Sequence, residues 1–120
     1  MTPAPAVLDW TQGGEGIAFQ SCPACSHRWY FRRDFCPRCG IGSPVELQAS
    51  GLGTIHAATL VTRAPSEALR AHAPYLIVLV DADECFRLMA HGAPQLGIGA
   101  RVRCRFVSFG GRLIPFFDPV

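Results

Sequence analysis

The sequence predicts a mainly β protein, with a small metal ribbon at the front and a barrel behind it, on three observations. Two C-P-x-C knuckles, Cys22-Pro23-Ala24-Cys25 and Cys36-Pro37-Arg38-Cys39, stand ten residues apart. From Val45 onward, short β-rich runs alternate with turn residues. No amphipathic helix of useful length interrupts them.

Each knuckle turns two sulfurs to one side, and a hairpin through Trp29, Tyr30 and Phe31 brings the pairs together as a tetrahedral S4 cage. Four thiolates leave no open coordination position, so a structural Zn²⁺ is the favoured reading and zinc catalysis is not. Iron in a similar S4 site and a redox dithiol are the alternatives. Gly40 follows the second knuckle, where the backbone often takes positive φ, and Ser26 fills the same place in the first. His27 is read as a surface side chain. Arg28, Arg32, Arg33 and Arg38 surround the cage and offset its negative charge. Arg32 and Arg33, at the hairpin tip, are also candidates for contact with a phosphate or an acidic partner, with Trp29 and Phe31 beside them.

Six β-rich runs follow: Val45 to Ser50, Gly53 to Thr62, Tyr75 to Asp81, Cys85 to Ala90, Arg101 to Phe109, and Arg112 to Phe117. Five or six strands with glycine punctuation suggest a small barrel. Pro65 to Ala73 is the one stretch fit for a short helix or folded loop. Strict alternation over Arg101 to Phe106 turns Val102, Cys104 and Phe106 inward and leaves Arg101, Arg103 and Arg105 as an outward stripe. Cys85 and Cys104 read as small core residues, and Asp81, Asp83 and Glu84 as a hairpin turn. A Cys–His pair with His91 or His56 has no motif behind it, and no serine nucleophile motif, phosphate loop or carboxylate pair stands out. The expected units are a short front segment (1–16) with a loose Thr2 to Ala6 lead, the ribbon (17–44) and the barrel (45–120).

Of the 120 residues, 49% are hydrophobic and 17% charged, against roughly 25% charged in an average soluble domain. So small a body with so little polar surface is expected to bury apolar area against another protein. Trp10 at the front and Phe116 and Phe117 at the end are candidates for that docking, packing on the chain itself being the alternative. All eleven basic residues are arginine. Four thiolates around a dication would cancel the formal charge of +2, which weakens the case for a general polyanion binder. Met1 to Ser21 has neither a basic start nor a long apolar run, and Tyr75 to Val80 is far short of the roughly 20 residues that cross a bilayer. A cytoplasmic protein with reduced cysteines is expected, with no membrane partner.

Taken together, Cys22 to Cys25, Phe35 to Gly40, Ser50 to Ile55, Ala73 to Val80, Phe86 to Leu88 and the Ile98-Gly99 pair before Val102 resemble the zinc-ribbon OB-fold proteins of the DUF35 type. The resemblance spans roughly Phe19 to Phe117. It implies a rubredoxin-like ribbon followed by an OB-type barrel, with Cys22, Cys25, Cys36 and Cys39 as metal ligands. It also implies a non-catalytic companion of a thiolase-like or hydratase-like enzyme, with acyl-CoA as a possible ligand. Members often carry a helical segment before the ribbon; here about twenty residues precede it. The competing function is single-strand nucleic-acid binding by the OB barrel, which needs aromatic platforms beside a basic groove.

Overall fold

The computed structural model describes residues 7–63 and 66–120. The Thr2 to Ala6 lead and Pro65 lie outside the described residues. Among the described residues, eight strands form two sheets. In the front sheet, β1 (Ala18–Ser21) lies between β2 (Arg28–Trp29) and β3 (Val45–Gln48), both antiparallel to it. The remaining strands, β4 (Leu52–Val61), β5 (Tyr75–Ala82), β6 (Arg87–Gly92), β7 (Arg101–Phe109) and β8 (Arg112–Pro119), close a barrel in the order β4-β5-β6-β8-β7. This is the mainly β architecture expected, with an OB-like barrel.

Two expectations change. The run from Val45 was expected to open the barrel, yet β3 pairs with β1 over Ala18–Gln48 to Ser21–Val45 and so completes the ribbon's sheet. The chain then turns at Gly51, whose φ is 86°, before β4 begins. Cys85 was expected inside a strand; it stands exposed in the β5–β6 turn with φ 69°, and β6 starts only at Arg87. Asp83, Glu84 and Cys85 make that turn, which leaves the thiol no apolar strand to face.

Alternation fills the barrel. Leu76, Val78 and Val80 of β5 point inward and meet Ile55, Leu88, Val102 and Phe117. On β7, Val102 is buried, Cys104 and Phe106 are half-buried, and all three arginines face out, as the pattern required. Strand β4 serves two neighbours: Leu52 to Thr54 pair with β7, and Gly53 to Val61 with β5, across a bulge at His56. Gly53 stands where these ladders cross, and a Cβ there would lie 2.6 Å from Val80 Cγ1 and 2.7 Å from the Asp81 carbonyl oxygen. The barrel closes through a short parallel contact of β6 with β8, His91 to Phe116 and Gly92 to Phe117, whereas β7 and β8 pair along eight positions. Within 65–73, the expected short helix is α1 (Glu67–Arg70). No helix among the described residues is long and apolar enough to cross a membrane.

The ribbon is fastened to the barrel by aromatic rings. Phe19 stacks on Phe86 with centroids 4.7 Å apart, Tyr30 lies 5.9 Å from Phe86, and Ile17 and Phe19 join the barrel's apolar core. Arg28 crosses the same seam, donating from Nη1 to the Glu84 carbonyl at 2.9 Å.

Candidate metal centre and docking surfaces

Both knuckles adopt the same backbone. In the first, the Cys22 N–H donates to the His27 carbonyl (2.8 Å) and the Ser26 N–H to the Cys22 carbonyl (3.0 Å). In the second, the Cys36 N–H donates to Ile41 (2.8 Å) and the Gly40 N–H to Cys36 (2.9 Å). The residue after each knuckle is left-handed, Ser26 at φ 64° and Gly40 at φ 81°, as the sequence reading required. That turn aims amides at sulfur: Cys25 N–H at Cys22 Sγ (3.4 Å), and the Arg38 and Cys39 N–H groups at Cys36 Sγ (3.3 and 3.4 Å).

The four sulfurs of Cys22, Cys25, Cys36 and Cys39 lie within 4.8 Å of one another. Cys22 Sγ is 3.5 Å from Cys39 Sγ, and Cys25 Sγ is 3.7 Å from Cys36 Sγ. A tetrahedron with metal–sulfur bonds of roughly 2.3 Å has edges of about 3.8 Å, so the donor set and its spacing fit an ion such as Zn²⁺. The amide of Cys25 holds the Cys22 thiol below its ordinary range. At Cys36 burial opposes ionisation, but the Cys39 and Arg38 amides outweigh it and bring the thiol down to about 6. At Cys39 the Ile41 amide favours the thiolate, but the neighbouring Cys22 sulfur and burial outweigh it and push that thiol up to about 12, so the knuckle amides favour thiolates at Cys22 and Cys36 and not at all four sulfurs. One cysteine of each knuckle is buried and one exposed, which puts the cluster at the surface, and four sulfur donors would fill a tetrahedral shell.

The aromatic and basic residues around it divide sharply. Phe31 is 76% exposed. Trp29, taken from the sequence as a contact residue, is only 8% exposed: it packs with Cys22 and Cys36, and its Nε1 donates to Gln20 Oε1 at 2.7 Å. Gln20 also accepts from the Arg33 N–H (2.6 Å) and donates to the Arg33 carbonyl (3.1 Å), so one buried amide pins both the indole and the hairpin tip. The sequence reading missed Gln20; its place on a face with Ala18, two residues before it on β1, was the available signal. Arg32 is committed to Glu46 (2.7 Å) and Asp9 (3.5 Å), while the Arg33 side chain has no ion-pair partner among the described residues. His27 is half-buried, stacked 5.7 Å from Trp29.

Trp10 packs on the chain's own surface and donates from Nε1 to the Tyr30 hydroxyl at 2.7 Å. With Tyr30, Phe31, Asp9, Arg32 and Glu46 it lines a groove of about 330 Å³. Of the two terminal phenylalanines, Phe116 lies half-exposed under Arg105, 4.6 Å from its guanidinium carbon. Phe117 is 1% exposed and points into the barrel, so it cannot dock on a partner while the barrel is closed. The arginine stripe of β7 is largely engaged too, Arg101 with Asp83 at 2.7 Å and Arg105 with Asp118. The structure brings the four cysteines together and sets Phe31, Arg33 and Trp10 near one another on the ribbon; Phe116 and Phe117 belong to the barrel.

A family profile described as the ChsH2 C-terminal OB-fold domain matches residues 46–107, just over half the chain. Among solved structures, a chain of the Ltp2–ChsH2(DUF35) aldolase is 25% identical with a TM-score of 0.74, the match covering 97% of this chain and 98% of that one. A DUF35-family protein of unknown function from Sulfolobus solfataricus, 14% identical, shares the fold with a TM-score of 0.60 over 92% of this chain and 79% of its own. The comparison with curated proteins gave no match. The chain therefore belongs to the ChsH2 C-terminal OB-fold family of DUF35 proteins, with a zinc-ribbon-like cysteine cluster in front of its barrel.

Proposed function

We propose that this chain is a non-catalytic accessory subunit of an acyl-CoA-processing enzyme, most simply a thiolase-like partner that joins or cleaves carbon–carbon bonds, with a structural Zn²⁺ in the ribbon. The observation that carries this reading is the correspondence over nearly the full length of both chains with the DUF35 relative, whose name couples it to Ltp2 in an aldolase. The chain's own chemistry agrees. Burial pushes the Cys104 thiol up to about 11, far from a reactive thiolate. The S4 centre is closed to substrate. In this reading the partner supplies the nucleophile, while Phe31 and the Trp10 groove of the ribbon supply a contact surface that supports its assembly and acyl-CoA binding, in the cytoplasm where the thiols stay reduced.

Co-expression with a thiolase-like enzyme encoded beside it tests the reading. The pair should co-elute on size exclusion, and Phe31→Asp should release the complex without loss of bound zinc. Separate elution, together with a partner that is soluble and fully active alone, would sink the proposal; co-elution with a hydratase instead would correct the partner's class. Nucleic-acid binding finds less support, because most arginines of the barrel stripe are already paired with carboxylates.

A further inference from the structure

A second concavity, of about 340 Å³, lies among the start of β5, the end of β6 and the β7–β8 hairpin. The strand pairing makes room for it. Strands β6 and β8 meet only at His91 with Phe116 and Gly92 with Phe117, so the hairpin from Val107 to Ile114 runs on without pairing to β6. Rings fill much of the wall. Tyr75 stacks on His91 with centroids 4.9 Å apart, Phe109 meets both edge-on at 5.1 and 4.4 Å, and His72 lies 4.6 Å from Phe109. Ser108, Phe116 and several aliphatic and proline side chains complete the lining, and among the described residues no arginine, aspartate or glutamate joins them.

The polar atoms of this wall are not used by the fold. Among the described residues, the side chains of His72, Tyr75, His91 and Ser108 have no hydrogen-bond partner. His72 and Ser108 are exposed, and Tyr75, His91, Phe109 and Phe116 are half-buried, so a molecule in the concavity can reach all six. Burial, and then His72, lower the His91 pKa. A neutral imidazole accepts a hydrogen bond at one nitrogen and donates one at the other. Aliphatic side chains would cap this end of the barrel equally well, so sealing the barrel does not account for two imidazoles and two hydroxyls gathered at one rim.

We propose that this concavity binds an uncharged, planar molecule of two fused aromatic rings that carries a hydroxyl or ring N–H. Flat aromatic walls favour a flat ligand through stacked and edge-on contacts. A lining without fixed charges pairs with neither a carboxylate nor an ammonium group. The volume is about twice that of the roughly 150 Å³ apolar cavity that holds one benzene, which sets the size at two rings. With no guanidinium to meet a phosphate, the site is separate from any acyl-CoA contact, and the inference stands independently of the accessory-subunit reading.

Calorimetric titration of the full-length, zinc-loaded chain tests it, with 2-naphthol, decahydro-2-naphthol and naphthalene-2-sulfonate as separate probes. The first should bind saturably, one per chain, and shift the ring-proton resonances of His72 and His91. The saturated alcohol should bind at least about fivefold more weakly, and the sulfonate at least about tenfold. Phe109→Ala should weaken 2-naphthol binding about tenfold and His72→Ala about threefold, while Arg103→Ala, six residues back along β7, should leave it unchanged. If Phe109→Ala disturbs the hairpin, His72→Ala still decides, because that side chain is exposed outside the strands. Failure of 2-naphthol to bind, indifference to His72→Ala, or equal affinity for the saturated alcohol or the sulfonate would each overturn the proposal. Displacement of 2-naphthol by butyryl-CoA would overturn it too, by making the concavity part of an acyl-CoA site. Co-elution with an enzyme partner is measured separately and can fail while this binding stands.

Discussion

Between Cys22 and Gly42 the buried side chains are two sulfur ligands and one indole; between Leu52 and Pro119 they are a continuous set of aliphatic and aromatic groups around Val78, Val80 and Phe117. The ribbon has few buried apolar groups to offset the entropy of ordering its loops and would gain most from an ion on its four sulfurs, whereas the barrel buries a continuous apolar core. The difference teaches that one chain can join two kinds of stability, provided the seam between them is well packed. Here Phe19, Tyr30 and Phe86 form that seam.

The sharpest way to break the comparison is to take the metal away. Chelation, or Cys36→Ser, should unfold the ribbon and abolish partner binding while the barrel persists. Near-ultraviolet circular dichroism reports the loss of Trp29 packing, and amide spectra of β4 to β8 report the survivor. A barrel that melts together with the ribbon would show that the two are one cooperative unit. Next in size is the opposite damage: Phe117→Ala should cost about 3–5 kcal/mol in urea unfolding and leave zinc affinity unchanged. The two knuckles sharpen the contrast within the ribbon. Ser26 carries at φ 64° the strain that Gly40 avoids, so Ser26→Gly should stabilise the zinc-bound ribbon by about 1 kcal/mol, read as slower metal loss to a chelator. An unchanged rate would mean that the turn is not strained.

The smallest expected effect concerns pH. Burial, and then the nearby His72, lower the His91 pKa from its ordinary value. The folded barrel therefore prefers the neutral imidazole, stacked at 4.9 Å on Tyr75 and at 4.4 Å from Phe109. That contribution is complete above the unfolded-state pKa near 6.5 and is lost as pH falls below it. Stability should decline gently from about pH 7 to 5, and His91→Gln should flatten the slope. An identical slope in that variant would assign the decline to other groups.

Much of the ribbon was legible because its information is local. The spacing of Cys22, Cys25, Cys36 and Cys39 and the residue after each knuckle are set within a few positions, and so were correctly foreseen. The alternation of β7 was readable for the same reason. What depended on distant neighbours was not. Nothing near Val45 says whether its strand pairs forward into a barrel or back onto Ala18 to Ser21. Phe116 and Phe117 are adjacent in a strand, so one had to face inward, but only the register with Cys104 and Arg105 selects Phe117. Trp29 looked like an exposed platform beside two arginines; its burial follows from Gln20, a polar residue on another strand.

The barrel's parallel closure between β6 and β8 rests on two residue pairs, the fewest of any neighbouring strands in it. A cylinder sealed by so short a join has a built-in door. Brief separation there would let water reach Phe117 and Leu96 before the eight-pair ladder of β7 and β8 parted. Amides along Ala90 to Ala93 should accordingly exchange with solvent faster than those of Val78 and Val80. The breathing of this protein is then set by where its cylinder is stitched, between β6 and β8.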